Sequence, residues 1–457
     1  MRKQILFGVL ALALVSCGGQ RPADRVNVFD GTDSAGNTYP GATVPFGAVQ
    51  LSPDTDVNAP SGYHYSHDTI LGFSHTHLSG TDGPDLGDFL VTPGLNAVEP
   101  LSLSHKNEVA EPGYYKVTFA KGITAELTVT PHAGIHRYTF TGEGTRLVRI
   151  DARHCIGGWS KATEYRLSLD GSEILGYRRV NGWTKDREVF LSAVFSKPFL
   201  SAVEPEPGLM EFTFADDLKE VVLFAGISGV DANGARGNRV KQTAGGQFDG
   251  LRRRAGNSWD EALGRITVKG GPTDAFYTHF YQTFTAPTRI DDYDRRYRDQ
   301  SGRNLQLPEG HHFYSTQSLG DSFPVWNALA ALLDTALVHD VVRGLVDNPG
   351  GRSELPARYV LTSIGLDPVA PASGEYILKA PLFRESVLRL ANGKTLTIRA
   401  DHPNRSYIAG VDLNGKPVDR NWLTYDEILG GGVLSFQLST KPVKERENPA
   451  GGRSGRH

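Results

Sequence analysis

Short runs of alternating apolar and polar residues recur between Tyr114 and Ile227. Such alternation places the apolar side chains on one face of a β-strand. Gly, Pro, Asn or Asp separates many of these runs, and short strands with turn signals between them are typical of a β-sandwich. We therefore interpret the whole segment from Val26 to about Thr267 as β. The predicted strands are Tyr114–Ala120, Ile123–Thr130, Leu147–Arg153, Tyr165–Asp170, Val189–Phe195, Met210–Ala215 and Val221–Ile227.

Helical spacing then replaces the alternation. Phenylalanines at every fourth position, followed by a proline, predict a helix over Thr273–Ala286. Two further helices are predicted over Phe323–Leu333 and Leu337–Val346. The cluster Asn348-Pro349-Gly350-Gly351 ends this helical run.

The alternating pattern returns from Glu375 onward. Asn414-Gly415 lies between two apolar runs and predicts a tight hairpin turn. The polar tail, from Glu445 to His457, is expected to be disordered. The strands predicted in this part of the chain lie near Tyr376–Leu378, Leu396–Arg399, Tyr407–Leu413 and Val433–Leu438.

Composition narrows the class of protein. At 457 residues the chain is expected to fold around two or three cores, and its hydrophobic fraction of 39% supports globular packing. The net charge of −3 and the scattered basic residues argue against a nucleic-acid partner. No apolar run of about 20 residues is present, so we predict no membrane-spanning helix.

The N-terminus is typical of an exported lipoprotein. A charged start precedes a short apolar stretch from Ile5 to Ser16, which suits an export signal. The residues LVSC that end at Cys17 resemble the bacterial lipobox, so we predict a signal peptide over residues 1–17 and a lipid anchor on Cys17. Because no acidic run follows Cys17, the anchor is expected to face the periplasm. Cys155 is the only other cysteine, so no intrachain disulfide is expected.

The segment GFSHTHLSGTDGPDLGD, from Gly72 to Asp88, holds the densest group of histidines and aspartates. In an extended segment His75 and His77 point to the same face. That geometry permits metal binding, but the spacing matches no known zinc or EF-hand pattern. A hydrogen-bonded interface or pocket wall is the favoured alternative. Its aspartates sit among Gly and Pro, where they usually bond to nearby backbone amides.

Blocks throughout the chain add a family resemblance. They are Asn37–Asp54, Ser61–Ser66, Gly72–Asp88, Gly226–Asn238, Phe276–Arg298, Tyr314–Asp321, Tyr359–Phe383 and Leu413–Gly432. Together they resemble glycoside hydrolase family 92, whose members are exported bacterial α-mannosidases. The resemblance brackets nearly the whole mature chain.

The resemblance implies a β-sandwich followed by an (α/α)6 barrel, with the active site between them. It implies hydrolysis of terminal α-mannosides, of the α-1,2 type found in N-glycans, with inversion at the anomeric carbon. The family uses a glutamic acid as acid, an aspartate as base and a calcium ion on the sugar hydroxyls. Asp321 occupies the position of a family carboxylate that could accept hydrogen bonds from sugar hydroxyls, and His75, His77 and Tyr63 are further candidate substrate contacts. Asp321 is also a candidate helix N-cap.

The chain departs from the family in the barrel. Twelve helices need on the order of 200 residues, whereas the stretch from Asp274 to Pro368 offers roughly 95. The family's Tyr-x-Glu-Gly-Asn-Ala-Trp acid motif and its Asn-Glu-Pro-x-His segment have no counterpart in the sequence. We therefore assign no catalytic acid and no metal ligands.

The base region admits two alignments. In one, Pro356–Val360 replaces a Ser-Ala-Trp-Tyr-Val stretch, and Gly350 and Gly351 fall at the acidic positions. In the other, Gly350–Pro356 matches an early barrel loop. Both alignments imply an internal deletion with its junction near Gly351–Tyr359, and both remove the base.

These observations predict an α+β fold with an antiparallel β-sandwich, a truncated helical barrel remnant and a C-terminal β segment. Domain boundaries are placed at 18–267, 268–372 and 373–445, with a disordered tail over 446–457. The expected ligand is a glycan, with calcium by family resemblance. Hydrolysis of α-mannosides and a non-catalytic carbohydrate-binding or scaffold role remain alternatives, and so does a decaying gene product. Loss of both acid and base would cost orders of magnitude in rate.

Overall fold

The computed structural model describes residues 20–33, 36–81, 83–299, 301–315, 323–347, 355–368, 374–403 and 405–441. The predicted signal peptide, Cys17, Asp82, Asp321 and the C-terminal tail lie outside these ranges. So do residues 348–354, which include the first part of the predicted deletion junction.

Two antiparallel sheets form the N-terminal sandwich. The first sheet has six strands in the order Ser52–Asp54, Gly72–Ser74, Leu90–Leu95, Arg146–Asp151, Leu209–Phe214 and Ser201–Glu206. The second sheet has eight strands in the order Lys161–Asp170, Glu173–Asn181, Arg187–Phe195, Glu220–Ser228, Ala133–Phe140, Ile123–Val129, Tyr114–Phe119 and Glu108–Glu111. All seven strands predicted between Tyr114 and Ile227 are present, each with its bounds shifted by no more than a few residues.

The sandwich core lies between these two sheets. Phe73 and Phe212 of the first sheet pack in one buried cluster with Tyr138 and Leu223 of the second. Their alternation in the sequence follows from this packing, because successive side chains of a strand point to opposite faces.

The interpretation of Val26 to Thr267 as wholly β is wrong at its C-terminal end. Two helices, Ala232–Thr243 and Phe248–Leu263, follow the last sandwich strand. Asp231 caps the first of them by accepting a hydrogen bond from the Gly234 amide at 2.7 Å. Glycines within this helix oppose helix formation in isolation, but they allow close packing: a Cβ on Gly237 would lie 2.1 Å from the Tyr293 ring.

The central part of the chain is helical, as predicted. Its helices are Thr273–Gln282, Phe323–Leu333, Thr335–Asp347 and Leu355–Ser363. The first ends four residues earlier than predicted, and an Ala286–Pro287 cis peptide follows it. A short helix, Tyr425–Leu429, and two 3-10 turns, Pro22–Arg25 and His105–Asn107, complete the described helical elements.

A third sheet covers the helices at the C-terminal end. Its strand order is Ile266–Lys269, Glu385–Arg389, Thr395–Ala400, Gly432–Ser439, Tyr407–Leu413 and Lys416–Pro417. Thr395–Ala400 and Gly432–Ser439 pair in parallel, and the other pairs are antiparallel. The Asn414-Gly415 hairpin is confirmed, with positive φ at both residues.

The third sheet and the central helices share one core. Phe276 and Leu329 from the helices pack in the same buried cluster as Leu388 and Leu434 from the sheet. The described chain is therefore an α+β structure with a β-rich N-terminal part followed by a helical region.

Smaller sheets complete the structure. They pair Thr69–Ile70 with Leu101–Ser102, Thr288–Arg289 with Tyr314–Ser315, Arg296–Arg298 with Asn304–Gln306, and Glu375–Leu378 with both Leu366–Pro368 and Trp422–Thr424. Among the helices of the described ranges, none has the length and apolarity needed to cross a membrane.

Candidate functional site

A cleft of about 520 Å³ lies between the sandwich and the connection of residues 288–315. Thr76, Asp88 and the turn of residues 184–188 line it from the sandwich side. Asp292, Arg298 and Phe313 line it from the connection. The cleft is therefore built from three separate parts of the chain, and it gathers charged groups at their junction.

Asp88 is the most strongly held charge of the cleft. Arg187 donates to both of its carboxylate oxygens, at 2.7 and 2.9 Å, and Thr76 Oγ1 donates to one of them at 2.8 Å. The Nε of Arg178 lies 3.2 Å from the other oxygen. Burial alone would raise the pKa of Asp88, but the two guanidinium charges outweigh it and hold the pKa well below its usual range. Asp88 is therefore ionised.

Asp292, in contrast to Asp88, is a carboxyl group that keeps its proton to a much higher pH. Its carboxyl group is buried and accepts hydrogen bonds from Ser228 Oγ at 2.7 Å and Asn238 Nδ2 at 2.8 Å. Burial raises its pKa to about 7, and these hydrogen bonds only partly oppose the rise. A carboxylic acid that stays protonated near neutral pH is what a glycosidase needs as a proton donor. Both oxygens are, however, already bonded to the protein.

Two polar atoms that border the cleft have no hydrogen-bond partner among the described residues. They are Nε2 of His132 and Nε of Arg298. The Gln242 amide donates to Nδ1 of His132 at 2.7 Å, so the neutral ring carries its proton on Nε2. Burial, together with the charge of Arg289, lowers the pKa of His132 to about 3. Both nitrogens are themselves shielded from solvent, so they lie behind the wall of the cleft and not in its open volume.

His75 and His77 are both buried, and their side chains belong to two different hydrogen-bonded networks. Thr76, which lies between the two histidines, and Leu78, which follows them, line the cleft. His75 contacts His136 at 3.1 Å and Phe89 O at 2.9 Å, and burial lowers its pKa to about 4. This network agrees with the predicted hydrogen-bonded wall.

His77 belongs to a second interior network. It contacts Asp54 at 2.7 Å and the carbonyl oxygen of Gln50 at 2.7 Å. His154 contacts the other oxygen of Asp54 at 2.8 Å. Burial would raise the pKa of Asp54, but the charge of His77 and the histidine hydrogen bonds lower it to about 2.

Tyr63 lies in a third buried cluster. Its hydroxyl donates to Glu108 at 3.1 Å, and Tyr115 donates to the same carboxylate. Tyr63, His75 and His77 are not among the cleft-lining residues. Their assignment as substrate contacts stays a prediction, and Asp321 lies outside the described residues.

The dense run of charged residues from Asp291 to Arg298 predicts an exposed, salt-bridged connection. That prediction is only partly right. The ion pairs are present, as between Arg296 and Asp231 at 2.6 Å, but Asp291 and Asp292 are fully buried. A Cβ on Gly234 would lie 2.0 Å from Asp292 Oδ2, so the glycines of the preceding helix let this segment approach.

The described residues contain no group of three or more His, Cys, Asp or Glu side chains placed to hold a metal ion. The cleft carboxylates are instead bonded to arginine, serine and asparagine side chains. This part of the chain does not match the hard-oxygen ligand set that calcium requires.

Comparison with known families matches two sequence profiles over most of the chain. The profile of the glycosyl hydrolase family 92 N-terminal domain matches residues 25–206. The profile of the glycosyl hydrolase family 92 catalytic domain matches in two segments, 234–354 and 352–440. An uncharacterized secreted glycosidase of Arthroderma benhamiae is 32% identical over 124 residues, which is 24% of this chain and 16% of that protein. The match spans about a sixth of that relative's length.

Solved structures share the fold. A family GH92 α-mannosidase from Bacteroides thetaiotaomicron, in complex with mannoimidazole, superposes with a TM-score of 0.84 at 21% identity, over 93% of this chain and 96% of that one. A family GH92 inverting mannosidase from Bacteroides thetaiotaomicron VPI-5482 gives a TM-score of 0.82 at 16% identity, over 92% and 97%.

Proposed function

Because the chain belongs to glycosyl hydrolase family 92, we propose that its cleft binds the terminal mannose of an α-mannoside glycan. The observation that carries the proposal is a cleft of about 520 Å³ that is lined by the partly exposed guanidinium groups of Arg187 and Arg298. A guanidinium group donates several hydrogen bonds, and the hydroxyl oxygens of a sugar are suitable acceptors for them.

The cleft has the chemistry of a sugar site. A pyranose presents hydroxyl groups around its edge and C–H groups on its face. Arg187 and Arg298 offer donors to hydroxyl oxygens, while the ring of Phe313 supplies an apolar wall. The Asp88–Arg187 pair fixes the sandwich side of the cleft, so that these groups are held in place before a ligand arrives.

Hydrolysis of the α-mannoside is the second candidate. Family membership favours it, as do the solved relatives that are described as mannosidases. An inverting reaction needs a protonated and an ionised carboxyl group separated enough to admit a water. Asp292 and Asp88 have these protonation states, but their oxygens are occupied by protein partners. Binding is therefore the function that the described geometry supports better.

The finer expectations are part of this proposal. The α-1,2 linkage and inversion come from the family resemblance. A calcium ion comes from it too, but the described cleft carboxylates do not fit one. Export is supported by the description of the fungal relative as secreted, whereas the lipid anchor on Cys17 rests on the residues LVSC alone. The shortened barrel is supported by the two catalytic-domain segments, which meet at residues 352–354, inside the predicted junction.

Binding and turnover are tested on the purified chain. Calorimetry with methyl α-mannoside, and with methyl α-galactoside as control, measures binding. An aryl α-mannoside and α-1,2-mannobiose, each with calcium and with a chelator, measure hydrolysis. Mannoside binding without turnover supports the first candidate. Chelator-sensitive turnover supports hydrolysis instead. If the chain shows neither binding nor turnover, both candidate functions are rejected.

A further inference from the structure

Two tryptophans lie side by side on the surface next to the cleft. Trp159 is 46% exposed and Trp183 is 39% exposed, although tryptophan is usually well buried. Their rings are stacked, with centroids 6.4 Å apart and an interplanar angle of 29°. Together they form an exposed pair of aromatic rings, which we call the tryptophan platform.

The buried carboxylate of Asp85 joins the two loops that carry the platform. Its Oδ2 accepts a hydrogen bond from the Trp183 amide at 3.0 Å. Its Oδ1 accepts one from the hydroxyl of Ser160, the neighbour of Trp159, at 2.8 Å. Asp85 is only 3% exposed, so these bonds are shielded from water. The platform is therefore fixed in position before any ligand arrives.

The indole of Trp183 rests directly on the backbone of Gly83. A Cβ at Gly83 would lie 2.1 Å from Cζ2 of Trp183, so the ring occupies the space that a side chain would take. With its edge held there, the ring still has 39% of its residue surface exposed. Such a costly exposure of a fixed aromatic ring is typical of a binding surface.

The platform is continuous with the cleft. Trp183 directly precedes Thr184, Lys185 and Asp186, which line the cleft. The same turn ends at Arg187, the residue that holds Asp88. A ligand that extends from the cleft past this turn reaches Trp183 first.

We infer that the tryptophan platform is a second sugar-binding site, which holds a pyranose ring farther along the glycan whose terminal residue occupies the cleft. The flat indole surface matches the C–H face of a pyranose, and the exposed Lys161, Lys185 and Asp186 around it can bond to its hydroxyls. Two rings form too small an apolar area for a protein partner, which needs roughly 800 Å² per side. This inference rests on the proposed function for the identity of the glycan.

The test compares a one-ring and a three-ring ligand on the full chain. Methyl α-mannoside fills the cleft alone, whereas α-mannotriose also reaches the platform. Trp159→Ala and Trp183→Ala are each expected to weaken α-mannotriose binding about three- to tenfold, the range for one lost aromatic stacking contact. Both should leave methyl α-mannoside binding unchanged. Trp183→Phe should restore most of the affinity for the trisaccharide.

Tyr407→Ala is the matched control. Tyr407 is an aromatic residue of similar exposure, 42%, on the third sheet, and its loss should leave both affinities unchanged. Unchanged α-mannotriose binding in the Trp159→Ala, Trp183→Ala double variant would overturn the platform. So would an equal loss of affinity for both ligands, because that result indicates damage to the cleft.

A failure of the proposed function gives a different result. If the full chain binds neither mannoside, NMR titration with cellotriose still follows the indole N–H signals of Trp159 and Trp183. Shifts confined to these two signals would retain the platform as a site for another hexose chain. No shift with either trisaccharide would reject it.

Discussion

Arg187 donates to both carboxylate oxygens of Asp88, and Arg178 stands 3.2 Å from one of them on its other side. This arrangement connects the end of the histidine-rich segment to a strand of the second sheet, 99 residues later in the chain. It positions the cleft, because the turn before Arg187 carries cleft-lining residues.

Arg187→Gln is expected to destabilise the fold by about 3 kcal/mol, the lower end of the range for breaking a buried ion pair, since Arg178 remains beside Asp88. Urea unfolding of the two proteins at pH 7 measures the difference. Arg179→Gln is the control, because Arg179 pairs with Glu164 and Glu188 near the surface and should cost less than about 1 kcal/mol. Equal urea midpoints for wild type and Arg187→Gln would contradict a stabilising role for the Asp88–Arg187 ion pair.

The Asp88–Arg187 ion pair also predicts how the stability of the fold depends on pH in the acid range. Because the pKa of Asp88 is lowered in the folded protein, its contribution is complete above the ordinary pKa of aspartate, about 4. It is lost as the pH falls below that value. The stability gap between wild type and Arg187→Gln should therefore narrow between pH 5 and pH 2. A gap that stays constant over this interval would rule out an ionised Asp88.

Asp292→Asn tests a carboxyl group whose pKa is raised, and not lowered, in the folded protein. The pKa of Asp292 is raised to about 7, so the folded protein keeps a proton that the unfolded chain releases above about pH 4. The stability that this proton contributes is complete below pH 4 and declines as the pH rises to 7. The variant lacks this decline, so it should gain on the order of 4 kcal/mol relative to wild type between pH 4 and pH 8. Urea midpoints at the two pH values measure the gain, and parallel curves would refute it.

Arg298→Lys tests the cleft donor. Lysine keeps the positive charge beside Glu188 but lacks the planar, multi-donor guanidinium group that lines the cleft. We expect methyl α-mannoside to bind about tenfold more weakly, which corresponds to one charge-assisted hydrogen bond. Arg303→Lys provides the comparison, because Arg303 is exposed and pairs with Asp299. Calorimetry should show a loss for Arg298→Lys alone.

Gly83→Ala tests the platform without removing an indole. The added Cβ would displace Trp183, because the two would lie 2.1 Å apart. The variant should bind α-mannotriose about threefold more weakly and shift the tryptophan emission. Gly171→Ala is a control in a turn with no heavy atom near the added Cβ, although its φ of +64° makes some loss of stability there expected. An unchanged emission spectrum in Gly83→Ala would show that Trp183 has not moved.

The sequence predicts those elements whose pattern reflects local packing. Strands with one buried face alternate, so Tyr114–Phe119 and Ile123–Val129 were placed within a residue. Helix Phe248–Leu263 was missed although its buried residues, such as Leu251, Ala255 and Trp259, recur at helical spacing. That signal was present in the sequence, and the assumption of a continuous β segment obscured it.

Other features depend on contacts between distant segments and leave no local pattern. Helix Ala232–Thr243 carries glycines that argue against a helix, and only the approach of Asp292 and Tyr293 explains them. Asp85 was predicted to bond to nearby amides and does so at Leu86, but it also joins Ser160 and Trp183 across the fold. No spacing in the sequence indicates such a junction.

The third sheet begins with a strand that precedes the helical region and continues with one that follows it. Lys269 is paired with Glu385, so the chain leaves the sheet and returns to it at neighbouring points. A segment anchored in this way at both ends can change length by many residues at small entropic cost, since that cost grows only with the logarithm of length. Because the helices share a core with the sheet, we expect changes of length between these two anchors to be tolerated only where that core stays covered.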